Sequence, residues 1–336
     1  MRKVILVVIM IIVGGFNLPQ AKTKNPEIIV TLPAIKFIVD RITGDEKLTM
    51  ALVKENTNPH FYDAKLSAIV KLKNARLFIL MQTDFEVYVE ALLASANNPQ
   101  IVRGARGYLE LANYVEIIEI PSNIERTGGE LHAQGNPHFL LNPYNFRKAA
   151  IAIFSKLKEF YPDNEEKFKE NVDKLLEELD TILFGKEISK SEMLYKRWLL
   201  DKLEKYLEEK GVKNNWTGIT RKLSEIKNEK IIAYHKSFSY FLNFFKLNEF
   251  AIIEPKPGIP PSTSYLISLI DKINKENVKI ILIEPYYPLK TANFLKEKAK
   301  NPLCVIISST NVYNYFEWIK TTVENIYKAV KEGKCE

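Results

Sequence analysis

Four absences narrow the field before any motif is weighed. Outside Val4 to Val13 the chain has no long unbroken apolar run, and those ten residues fall short of the ~20 a helix needs to cross a bilayer. It has no block of basic residues. The formal +7 of the 336 residues is spread through Lys/Glu-rich segments, which reads as a solvated surface and not as a footprint for nucleic acid. No His-Glu-x-x-His pattern occurs, so the zinc-protease helix is excluded. Only two cysteines are present, and neither lies near the amino terminus, so the lipid attachment common among exported binding proteins has no acceptor there.

The amino-terminal run has a secretory layout: Met1-Arg2-Lys3 as a positive region, the apolar core, then a polar stretch from Asn17 to the small residue Ala21. Residues 1–21 are therefore expected to be a cleaved signal peptide, giving a chain free in a periplasm with formal charge +5 once Arg2 and Lys3 are removed. Export would permit a bridge between Cys304 and Cys335, but nothing in their spacing demands one.

Histidine is the informative residue because the chain has four. Two sit in copies of one tetrapeptide, Asn58-Pro59-His60-Phe61 and Asn136-Pro137-His138-Phe139. A third, His235, follows a β-rich run in Ala233-Tyr234-His235-Lys236-Ser237. Proline restricts its own backbone and biases the preceding asparagine toward extended conformations, so each Asn-Pro-His turn presents an imidazole from a stiff mount. One histidine after a strand is ordinarily a surface or packing residue. Three at corresponding strand ends, two in identical contexts, point to one shared metal ion, and neutral imidazole suits zinc.

Apolar periodicity supplies the frame. Short buried strands are expected at Ile28 to Thr31, Thr49 to Val53, Leu77 to Met81 and Val115 to Ile120, separated by helices at Ala34 to Ile42, Ser67 to Asn74 and Phe85 to Ser95. Residues 22–142 thus read as an α/β lobe with a mostly parallel sheet. A helical rod over 143–184, with a break at Tyr161-Pro162-Asp163, reads as the connection to a second lobe. Residues 185–229 follow as a helical insertion whose stripe of Leu194, Trp198, Leu199, Leu203, Tyr206 and Leu207 ends at a C-cap on Gly211.

From 230 to 336 the alternation resumes, with strands at Ile231 to Tyr234, Phe250 to Ile253, Lys279 to Ile283 and Val305 to Ile307. Helices are expected at Phe238 to Phe245, Ser262 to Glu276, Leu289 to Lys300 and Tyr315 to Glu332, with Ser262 as an N-cap. The aromatic cluster Tyr234, Phe238, Tyr240, Phe241, Phe244 and Phe245 reads as core. Ligands of open α/β sheets bind beyond the carboxyl ends of the strands, where this chain carries His235, Glu254, Glu284 and Ser308-Ser309. Glu254 and Glu284 are candidates for a fourth donor or for an acceptor behind an imidazole, and equally for helix caps or lysine partners. His132, in Leu131-His132-Ala133-Gln134-Gly135, is a further candidate donor or a solvent-facing loop residue.

On Asn58-Pro59-His60, on Gly135-Asn136-Pro137-His138-Phe139-Leu140-Leu141-Asn142-Pro143, on Tyr234-His235-Lys236-Ser237-Phe238-Ser239-Tyr240-Phe241 and on Ile283-Glu284-Pro285, the chain resembles the zinc and manganese binding proteins of ABC importers, the group that includes the high-affinity zinc-uptake periplasmic binding protein. The resemblance implies two α/β lobes joined by one long helix. It also implies a metal held between them by His60, His138 and His235, and delivery to an inner-membrane permease with its cytoplasmic ATPase. Zn2+ is the implied cargo ahead of Mn2+, carried by a monomer. The fourth ligand of that family, commonly an aspartate, falls near Ser308-Ser309-Thr310, where no carboxylate stands, which leaves water, His132 or Glu254. The His-rich loop of some zinc members is missing, and the 185–229 insertion is longer than usual. A three-histidine zinc with an open position is also the site of hydrolytic enzymes, so a zinc-dependent envelope hydrolase is the alternative.

Overall fold

The computed structural model describes residues 26–63, 65–82, 85–121, 132–190, 200–254 and 258–335. The expected signal peptide, part of the insertion stripe (Leu194, Trp198, Leu199) and the glycine pair before His132 lie outside those residues. Two four-stranded parallel sheets form, one in each lobe. The first has the order β2-β1-β3-β4, built from β1 (Ile28–Val30), β2 (Thr49–Ala51), β3 (Leu77–Leu80) and β4 (Tyr108–Glu110). The second repeats the pattern as β6-β5-β7-β8, with β5 (Lys230–Ala233), β6 (Asn248–Ile252), β7 (Ile280–Ile283) and β8 (Cys304–Ile307). Strands β1, β3 and β7 are buried along their whole length, as parallel strands covered on both faces by helices must be.

The covering helices of the first lobe are α1 (Pro33–Thr43), α2 (Leu66–Lys73) and α3 (Val89–Ala96). Those of the second are α9 (Ser239–Phe244), α10 (Thr263–Glu276), α11 (Leu289–Lys298) and α12 (Tyr315–Glu332). Ser262 caps α10 as expected, accepting a hydrogen bond from the Tyr265 backbone at 3.2 Å. The aromatic cluster around α9 is buried.

The expected fourth strand of the first lobe is elsewhere. Residues 115–120 form no ladder, and the edge strand is Tyr108–Glu110. The physical reason lies in the hydrogen bonds. The Glu116 backbone exchanges both of its bonds with the Asn145 side chain, at 3.1 and 2.9 Å, and Ile118 N–H donates to the Tyr240 hydroxyl of the second lobe at 2.9 Å. An apolar run with alternating polarity has become a strap between lobes.

The 143–184 region is two helices. Asn142 accepts from Tyr144 N–H at 2.8 Å and Pro143 starts the first turn of α4 (Pro143–Phe160), which packs on the first lobe. A single 3-10 turn at Pro162–Asn164 reverses the chain, and α5 (Glu165–Phe184) runs back along α4. A buried bridge from Arg147 to both oxygens of Asp180, each 2.9 Å, pins the start of one helix to the end of the other. The long helix joining the lobes is therefore α5. It contacts α1 of the first lobe, then α6 (Lys186–Ser189) and α8 (Ile219–Ser224), and reaches α12 of the second. Between α6 and α8, α7 (Leu200–Glu209) buries Leu203 and Leu207 of the expected stripe, and Gly211 adopts the left-handed conformation of a C-cap.

Most of the buried apolar residues of both lobes belong to one continuous core. Phe37 of α1 meets Tyr313 and Phe316 edge-on, and Phe146 of α4 stacks on Tyr315 at 4.1 Å. The lobes are thus joined by packed aromatic side chains as well as by α5.

Cys304 and Cys335 are paired, with Cα atoms 5.2 Å apart. Nothing in their sequence separation asked for this. The 18-residue helix α12 carries the chain end back beside the start of β8. Closing a 31-residue separation removes denatured-state entropy equivalent to about 3–4 kcal/mol in the loop-closure model. Cys335→Ser should lower the unfolding free energy of metal-free protein in urea by that order; identical curves for oxidised and reduced protein would show the bond to be idle.

Candidate metal centre

The carboxyl ends of both sheets face one another, and all four histidines of the chain meet between them. His60 arrives on a 3-10 turn, Pro59–Phe61, in which Asn58 Oδ1 accepts from the His60 backbone N–H at 3.0 Å. Asn136 does the same for His138, also at 3.0 Å. The repeated tripeptide therefore has a mechanical meaning: asparagine closes the turn from below, proline stiffens it, and the imidazole projects from a preset position.

Asn136 also reaches across the cleft. Its Nδ2 donates across the cleft to the Lys236 carbonyl at 2.8 Å and to Glu119 at 2.9 Å, which turns Oδ1 toward His138. Oδ1 lies 2.9 Å from His138 Nδ1, so that nitrogen carries the proton and Nε2 presents its lone pair. Gly135 makes the approach available. Its φ is +97°, and a Cβ there would come within 2.4 Å of Ile117 and 2.8 Å of the Ile118 carbonyl. The Tyr240 hydroxyl closes the same corner by donating to the Asn136 carbonyl at 2.9 Å.

From the second lobe, His235 follows β5 and is buried. Its Nδ1 pairs with Glu254, at the end of β6, at 3.0 Å. Its Nε2 is buried with no hydrogen bond among the described residues. The carboxylate thus orients the ring and leaves the inner nitrogen for something else. Glu284, at the end of β7, is fully buried nearby. Burial pushes its carboxyl up to about 7, against the pull of His235 and Ser237 and with a small push from Glu254.

The four rings are close-packed. His60 lies with its ring centre 5.3 Å from His132, 5.2 Å from His138 and 5.1 Å from His235. One ring nitrogen from each of His60, His132 and His235 falls within 4.8 Å of the others. Nε2 of His60 and Nε2 of His138 are 3.2 Å apart. Two nitrogens bound to one tetrahedral zinc at 2.0–2.1 Å sit about 3.3 Å from each other, so this pair already has the spacing of two ligands. The His138 imidazole is held well below its ordinary pKa, first by burial and then by His60, His235 and His132, which keeps it in the neutral, donor-ready form. Phe85 packs edge-on against His60 and walls the group on one side.

Of the residues singled out in the sequence, His60, His138, His235 and His132 converge. Glu254 and Glu284 stand behind them. Ser308 faces away, its hydroxyl bonded to Thr322 and to the Trp318 indole at 2.8 and 3.0 Å. Sequence reasoning missed the part of Asn136 that crosses the cleft; the one visible signal was that asparagine precedes proline in both copies of the motif.

A family model described as ZnuA, zinc-uptake complex component A, periplasmic, matches residues 28–184 and 202–329. The unmatched stretch between the two lies within the expected insertion. Among similar proteins, the zinc-binding lipoprotein AdcA of Streptococcus pneumoniae is 23% identical over 295 residues, covering 86% of this chain and 50% of that protein. The high-affinity zinc uptake system protein ZnuA of Yersinia pestis is 21% identical over 305 residues, covering 85% and 82%. The chain thus spans about half the length of the streptococcal relatives it matches. A crystal structure of ZnuA superposes with a TM-score of 0.67 at 22% identity, over 90% of this chain and 98% of that one, which shows a shared fold. With the family model matching well over half of its length, the chain belongs to the ZnuA family of zinc-uptake components.

Proposed function

We propose that the chain is the substrate-binding component of a metal importer, capturing zinc between its lobes and handing it to a membrane permease served by a cytoplasmic ATPase. The observation that carries this reading is the convergence of imidazoles from both lobes at ligand spacing. His60 and His138 supply donors from the first lobe, His235 from the second, and His132 completes the set. Glu254 acts on His235 from behind. An all-nitrogen set favours zinc; manganese would want more carboxylate oxygen. Glu254 and Glu284 offset the charge of a divalent ion taken into a buried site.

The names of the relatives, zinc-binding and zinc-uptake proteins, support the same cargo. A disulfide joining the only two cysteines fits an oxidising compartment outside the cytoplasm, in agreement with an exported, periplasmic chain. No described helix is long and apolar enough to cross a membrane. The chain is read as a monomer in delivery. The hydrolase alternative has no support among the relatives, and Glu254, its best-placed general base, is spent on His235 Nδ1.

Elemental analysis of protein purified without added metal, followed by competition between zinc and manganese, tests the reading. One tightly held zinc per chain, displaced poorly by manganese, and no turnover of model esters or phosphates are expected. Substoichiometric metal with measurable ester turnover would favour the enzyme.

A further inference from the structure

We propose that Asn311 is a positioning residue for His60: its buried carboxamide latches the loop of residues 54–57 onto the second lobe and so governs how long His60 stays on a bound cation. The inference rests on the ligand role proposed for His60 and assigns a role to a residue outside the group of imidazoles.

The loop leading to His60 has little of its own to hold it. Residues 54–57 are all exposed, and Asn56 sits at a positive φ of 55°. Within the loop the Thr57 hydroxyl donates to the Lys54 carbonyl at 2.7 Å. The ties that hold it in place come from across the cleft. Asn311, 2% exposed, donates through Nδ2 to the Lys54 carbonyl at 2.8 Å and to the Thr57 carbonyl at 2.9 Å. Its own carbonyl accepts from Asn56 N–H at 2.9 Å, and Tyr313 N–H donates to Glu55 at 3.0 Å.

The far side of the latch is anchored. Tyr313 donates its hydroxyl to Asp40 of α1 at 2.9 Å, packs against Phe37, and is followed directly by α12 with its Asn314 cap. The near side is equally stiff, because Asn58 and Pro59 bind His60 into one rigid turn adjoining Thr57. A displacement of the loop therefore carries the imidazole with it. Asn311 lies in the connection after β8, next to residues 308–310, where this chain offers no carboxylate to a metal. In its place the second lobe grips the mount of a ligand supplied by the first.

Two donated hydrogen bonds of ordinary strength correspond to about a tenfold change in an equilibrium or a rate. The test measures zinc affinity and zinc dissociation, by chasing with a chelator, for Asn311→Ala and for Asn311→Asp, which keeps the side-chain size and removes both donors. Each is expected to speed dissociation about tenfold. The decisive comparison places Asn311→Ala in two backgrounds. With His60→Ala the latch has nothing left to position and the further effect on affinity vanishes; with His138→Ala it persists in full. Equal effects in both backgrounds would show general loosening and overturn the proposal, as would no effect of either Asn311 variant. If His60→Ala alone left zinc affinity unchanged, the ligand assignment itself would fail, an outcome readily told apart from failure of the latch.

Discussion

Replacing His60 or His235 by alanine is expected to weaken zinc binding by at least about a hundredfold, and to remove most of the rise in melting temperature that zinc confers on the unaltered chain. Zinc held by four protein donors in small domains is bound with roughly 10–16 kcal/mol, so a single donor carries on the order of 3 kcal/mol, or a factor of a hundred. The two residues are the sharpest choice because they come from opposite lobes. His60 is the ring nearest to all the others, and His235 alone represents the second lobe. His132 should matter less: it is partly exposed, and the two residues before it in the sequence are Glu130-Leu131, not Asn-Pro. Titration calorimetry with a competing chelator gives the affinities. Stabilisation grows as RT ln(1 + [L]/Kd), so at a fixed zinc concentration a hundredfold loss should subtract about 2.7 kcal/mol from the zinc-loaded protein. Unchanged affinity in both variants would remove the basis for a shared ion.

The residues at the centre were legible in the sequence because their scarcity and repetition are properties of the string itself. Four histidines, two in identical turns, need no coordinates to be noticed. The two-lobed frame was legible for a similar reason: buried parallel strands leave uninterrupted apolar runs, and seven of the eight expected runs form strands in the two sheets. Residues 115–120 misled because an extended segment bonded to the side chains of Asn145 and Tyr240 has the same apolar alternation as one bonded to a neighbouring strand. The true edge strand, Tyr108–Glu110, is three residues long and too short to register as a run.

Pairings across long separations were the least legible. Cys304 meets Cys335 because of the length and direction of α12, and Asn136 bonds to Lys236 because two lobes close on each other. Both facts belong to the assembled fold. Glu254 shows the intermediate case. Its place at a strand end marked it as a candidate, but the choice between ligand and supporting acceptor needed its distance to His235 Nδ1, 3.0 Å.

Acid should stabilise the metal-free protein while it weakens zinc capture, and the opposite signs come from the same buried groups. Glu86 and Glu284 are fully buried, and burial lifts each carboxyl from an ordinary 4.5 to about 7. Between those values the folded chain holds a proton on each that the unfolded chain has lost. Their contribution is therefore fully present below pH 4.5 and is lost as pH rises through 7. From pH 7.5 to 5 each adds roughly 2–3 kcal/mol in favour of folding. His138 works the other way. Its pKa is depressed by burial and by the neighbouring imidazoles, so the unfolded chain takes up the proton first and folding loses stability as the pH falls. Ion-paired carboxylates such as Glu159 and Glu204 also oppose the gain, but they lie near the surface and are screened by solvent. Two fully buried carboxyls against one imidazole leave acid a net stabiliser of the metal-free chain. Zinc reverses the preference. A dication bound beside His235 favours ionised Glu284, so loading below pH 7 expels a proton and affinity falls about tenfold per pH unit for each proton displaced. Urea unfolding of chelator-stripped protein at the two pH values, paired with zinc titrations, reads both trends. Glu284→Gln should flatten the first and shallow the second; a metal-free chain that loses stability in acid, with a profile the variant leaves untouched, would contradict the coupling of that carboxylate to the metal.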